Sequence, residues 1–147
     1  MEISWFREID IELDNKPNQL KRYVVIDTSI FLLIREKFDV IEGLKTDLSE
    51  HYECATTDSV VREIIRIAIK SRDALMHTYI QKIFEKCYIE TLSEDLEGEE
   101  ADFDILRLAK ILGAPILTLD RELKDLAREE EIPLIIYKGS DKRIRLP

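Results

Sequence analysis

From residue 22 onward the chain alternates two apolar patterns. Short, nearly continuous runs ("YVVI", "YECATT", "CYIETL", "APILTL", "PLIIY") are separated by longer segments with apolar residues spaced three and four apart. Continuous runs of this kind read as strands buried on both faces, and the spaced segments as amphipathic helices. Helices are expected over "TSIFLLIREKF" and "DVIEGLKTDLSEH", joined or interrupted near Phe38. The next starts at about Asp58, with Val60, Val61, Ile64, Ile65 and Ala68 as its apolar stripe. Another runs from Ser71 or Arg72 to Lys86. "ADFDILRLAKILG" follows, closed by Gly113 where a C-cap glycine belongs, and then "DRELKDLAREEE". The alternation predicts an α/β fold: a three-layer α/β/α sandwich with a central, mainly parallel sheet. "ISWFREIDIELD", a strand or short helix leading to a turn at "DNKPN", belongs to an N-terminal extension, 1–21, before a domain spanning 22–147.

In open sheets of this kind, ligands bind beyond the carboxyl ends of the strands. Four acids stand at such places. Asp27 follows "YVVI" and Asp120 follows "ILTL", while Glu63 and Asp102 lie early in the helices after "YECATT" and the acidic segment "SEDLEGEEAD". Together they would repel and raise one another's pKa unless cations held them ionised. Mg2+ or Mn2+ suits an all-oxygen set, and two such ions would clamp the oxygens of an in-line phosphodiester displacement. Taken singly, each acid also has a plainer reading. Asp27 and Asp120 would cap helices, Asp102 would complement a helix N-terminus, and Glu63 would pair with Arg66.

Composition narrows the partners. At 147 residues the chain is expected to be one domain, with 45% apolar and 36% charged residues. Cys54 and Cys87 stand apart with only two histidines elsewhere, so a zinc site lacks ligands, and a reducing, cytoplasmic setting is expected. The first twenty residues carry charges throughout, so no signal peptide is visible, and the longest apolar stretch, broken by Asp27, falls short of a membrane span. The net charge of −9 is uneven. Residues 90–104 hold eight acids and no Lys or Arg, whereas 60–88 hold six basic residues against three acids. Phosphate attraction is a matter of such patches rather than of the total.

"VVIDTSIFL", "DSVVREI" and "EADFDILRLAKILGAPILTLDRELKDLA" resemble, in order and spacing, the successive motifs of PIN domains, over about residues 22–137. That family includes the VapC toxin ribonucleases of toxin–antitoxin pairs and RNA-processing nucleases. The resemblance implies a parallel α/β sandwich and Mg2+- or Mn2+-dependent endonucleolytic cleavage of RNA. Residue by residue, it makes Asp27, Glu63, Asp102 and Asp120 the metal-binding and catalytic acids, with Ser29 and Thr118 as supporting hydroxyls. Asp104, two residues beyond Asp102, is the alternative acid, but helical geometry turns it about 200° away. A small antitoxin protein and a second copy of the chain, forming a homodimer, are the partners so implied, beside the RNA substrate.

Arg62, Arg66 and Lys70 stand four apart beside Glu63 and would hold RNA phosphates, or else form a solvated face. The tail "KGSDKRIRLP" carries the same two readings. His51 and His77 are not placed to serve as a base, and Trp5, Phe6 and Tyr79 read as core or interface residues. The rival from another class is a non-catalytic RNA-binding or assembly scaffold. A phosphatase would want a second Asp where Ser29 stands, and a phosphorelay receiver a lysine at a later strand end, which is not evident.

Overall fold

A computed structural model describes residues 21–92 and 99–147. The readings placed on 1–20 and on most of the acidic segment lie outside the described residues. Among the described residues, four parallel strands form the central sheet: β1 (Arg22–Ile26), β2 (Tyr52–Thr57), β3 (Tyr88–Glu90) and β4 (Ile116–Leu117). Their spatial order is β3-β2-β1-β4. The chain thus steps outward from β1 to β3, then returns to the other side of β1 for β4. That reversal is a topological switch point, where the carboxyl ends of β1 and β4 open a crevice.

The strands carry the core because both their faces are covered. Val24, Val25, Ile26, Ala55, Ile116 and Leu117 are fully buried. Helices flank the sheet: α3 (Asp58–Ser71) follows β2 directly, α4 (Ala74–Lys86) packs against α3, and α5 (Glu99–Leu112) packs across β1, β2 and β4. Thr57 caps α3 by accepting from the Val60 amide at 3.3 Å, and Asp73 caps α4 by accepting from Met76 at 3.2 Å. Gly113 closes α5 in the left-handed conformation at φ 62°, as the C-cap reading requires.

Between β1 and β2 the expected pair of helices is broken more finely. It forms α1 (Thr28–Phe31), a 3-10 turn (Leu32–Glu36), α2 (Val40–Gly43) and a π-helical turn (Leu44–Leu48). Lys37 ends the first pair in the left-handed region, and Asp39 starts the second by accepting from the Ile41 amide at 2.9 Å. At Gly43 a Cβ would meet the Phe38 ring at 3.1 Å, so this tight corner uses glycine for close approach.

The C-terminal reading changes most. "PLIIY" does not form one strand: Leu134 bridges Ile116, and β5 (Ile136–Lys138) turns into an antiparallel hairpin with β6 (Arg143–Arg145). Asp47 holds this hairpin, accepting from the Ile144 amide at 3.1 Å and pairing with Arg143 at 3.4 Å. The Phe38 and Tyr137 rings meet at 5.0 Å. Much of the basic tail is therefore docked structure.

Cys54 and Cys87 form a disulfide. Sequence distance hid their contact, because β2 and β3 pair with Ala55 opposite Tyr88, which sets the preceding residues side by side. The bond removes the argument from cysteine usage for a reducing compartment.

Candidate active site

Asp27 is the first residue after β1 and stands at the N-cap of α1, yet its carboxylate accepts no capping bond. Oδ2 instead accepts from Thr118 Oγ1 at 2.7 Å and from Ser29 Oγ at 3.0 Å. The plain capping role therefore does not account for this side chain. Thr118 Oγ1 also accepts from the Asp120 amide at 3.0 Å, and Ser29 Oγ from the Leu119 amide at 3.0 Å. These bonds tie the exit of β4 to the exit of β1, and they fix the orientation of a buried carboxylate by two hydroxyl donors.

Glu63, in the second turn of α3, accepts from Thr28 Oγ1 at 2.8 Å. Among the described residues it makes no ion pair with Arg66, so the simple i,i+3 reading fails. Asp120 does cap α6 (Arg121–Glu129), its Oδ1 accepting from the Glu122 amide at 2.8 Å and Leu123 at 3.3 Å. Asp102 stands half-buried in the first turn of α5. Asp27, Glu63, Asp102, Asp120 and Glu122 all line one cavity of about 850 Å3.

Their charges act on one another. Burial pushes the Asp102 carboxyl up to about 6, assisted by the charges of Asp27, Asp120, Glu122 and Glu63. An all-carboxylate set under mutual repulsion fits a hard divalent cation. Among the described residues no three potential ligands close tightly enough to cage an ion directly. The set suits an ion such as Mg2+, which takes one or two carboxylates and keeps waters for the rest of its shell.

No family model matches the chain. It is 26% identical over 137 residues to Ribonuclease VapC9 of Archaeoglobus fulgidus, covering 91% of this chain and 96% of that protein. Among solved structures it is similar to the PIN domain endonuclease Utp24. That match has a TM-score of 0.67 and 20% identity, and covers 86% of this chain and 92% of the other. The chain has the fold of a PIN domain. A domain of a functionally unknown protein from Methanocaldococcus jannaschii shares the fold at TM-score 0.53 and 21% identity, covering 76% and 87% of the two chains.

Of the residues singled out in sequence, this fold brings Asp27, Ser29, Glu63, Asp102, Asp120, Arg66 and Lys70 to the cavity wall. Thr118 stands behind it, 2% exposed, acting on Asp27. Arg62 does not line the cavity: its guanidinium turns back to Asp58 at 2.8 Å, so the three-residue basic stripe splits. Asp104 is 1% exposed and accepts from Ser59 Oγ at 3.2 Å, on the side of α5 away from Asp102, as helical geometry demands. Thr28 and Glu122 escaped the sequence reading. The signal for each was adjacency, Thr28 directly after Asp27 and Glu122 two residues after Asp120.

Proposed function

We propose that this chain is a metal-dependent endoribonuclease that hydrolyses RNA phosphodiester bonds, with Asp27, Glu63, Asp102 and Asp120 holding Mg2+ or Mn2+. The observation that carries the reading is the meeting of acids from four separate chain segments in one cavity, with Asp27 withheld from its capping role. The similarity to a protein named Ribonuclease VapC9 supplies the substrate class. When bound, the cation would stabilise charge at the scissile phosphate and lower the pKa of an attacking water. The chain's own contribution is positional. Thr118 and Ser29 fix the Asp27 carboxylate, Thr28 fixes Glu63, and the α6 cap fixes Asp120.

Asp27→Asn keeps the shape and one accepting oxygen but removes the charge. It is expected to abolish Mn2+-dependent cleavage of a mixed RNA pool while its unfolding stays cooperative. Wild-type cleavage that persists in EDTA, or full activity in the variant, would remove the mechanism. Within this reading the likeness to VapC9 favours the toxin of a toxin–antitoxin pair over an RNA-processing enzyme. A small antitoxin gene beside this one is the expected arrangement. Mass measurement in solution tests the homodimer proposed from the resemblance.

A further inference from the structure

The cavity face of α3 carries two kinds of chemistry in succession. Glu63 stands at its acidic end, and Arg66 and Lys70 follow along the same wall, with Val60, Ile67 and Leu32 between and beside them. Helical rise sets Arg66 about 5 Å and Lys70 about 10 Å beyond Glu63 along the axis. Both cations are exposed, and among the described residues neither has an acid partner; the same is true of Lys37, Arg72, Lys86 and Lys124, so what distinguishes Arg66 and Lys70 is their place on the cavity wall. On a wall shared with Asp27, Glu63, Asp102, Asp120 and Glu122, two cations without an acid partner are open to an anionic ligand.

We propose that Arg66 and Lys70 form a phosphate track, holding two successive backbone phosphates of the RNA strand to one side of the scissile bond. The apolar side chains beside them would give a ribose or base a dry surface. Such a track recognises backbone rather than sequence, and it fixes which way the strand runs from the acids. It rests on the ribonuclease reading.

The test measures binding of a fluorescent, unstructured oligouridylate by anisotropy in Ca2+, across a series of KCl concentrations. Each cation on a single-strand phosphate contributes about 0.7 to the slope of log affinity against log salt. Arg66→Ala/Lys70→Ala should make the slope shallower by about 1.4 and weaken binding roughly 25-fold at about 0.1 M salt. Arg62→Ala, which removes a cation of the same helix outside the cavity, should leave the slope unchanged. An unchanged slope in the double variant, or an equal loss in Arg62→Ala, overturns the track while leaving the ribonuclease reading in place. A wild-type protein that binds no RNA overturns both.

Discussion

Thr118→Val offers the sharpest test of how the cavity is held together. Valine keeps the branched shape in a site only 2% exposed, so the change removes hydrogen bonds with little change in packing. Lost first is the donation to Asp27 Oδ2 at 2.7 Å, a charge-assisted bond of about 1.5–3 kcal/mol. The Asp120 amide also loses its acceptor, at about 1 kcal/mol more. Ser29 remains on Asp27, so the carboxylate keeps one donor. The sum is about 3 kcal/mol. With a urea m-value of about 2 kcal/mol/M, the midpoint should fall by about 1.5 M. Thr118→Ser, which retains the hydroxyl, should recover most of this loss. A midpoint for Thr118→Val indistinguishable from wild type would mean that the β1–β4 tie contributes nothing, and the positional account of Asp27 would go with it.

Asp120 has two separable roles. Asp120→Ser keeps the α6 cap and should change stability by under about 0.5 kcal/mol, whereas Asp120→Ala should cost about 1 kcal/mol; both should lose Mn2+ affinity in calorimetry. In the metal-free protein, Asp102 ionises at a cost to the fold. The rise from 3.8 to about 6 corresponds to about 3 kcal/mol at face value, which solvent at this half-exposed group reduces to about 1 kcal/mol. Because the folded pKa is raised, that stability is whole below about pH 4 and is lost as pH rises through about 6. Added Mg2+ should therefore raise Tm more at about pH 7.5 than at about pH 5. Reducing the Cys54–Cys87 bond frees a 33-residue separation, and loop entropy predicts a loss of about 3–4 kcal/mol, read as a lower Tm in dithiothreitol.

Where the sequence was legible, one local pattern decided the outcome. "YVVI" had only one way to be buried, α3 carried an apolar stripe, and Gly113 stood where a left-handed residue was needed. The meeting of the four acids in one cavity was readable because each lies near the end of a strand or the start of a helix. What stayed hidden depends on pairing between distant segments. The disulfide follows from the β2–β3 register, and the hairpin of β5 and β6 from the capture of its backbone by Asp47. Arg62 and Arg66 look alike in sequence. Asp58, four residues before Arg62, draws that guanidinium away, and nothing comparable among the described residues restrains Arg66.

The bond from Thr118 to Asp27 joins residues 91 positions apart. During synthesis the first acid emerges early and folds near β2, but the crevice does not exist until β4 lies beside β1. Domains form as their chain leaves the ribosome, N-terminal parts first. A nascent chain therefore carries an incomplete acid set until Asp120 has appeared and β4 has docked beside β1. On the ribonuclease reading, the ribosome and message that make this protein meet no hydrolytic centre until the fold is finished.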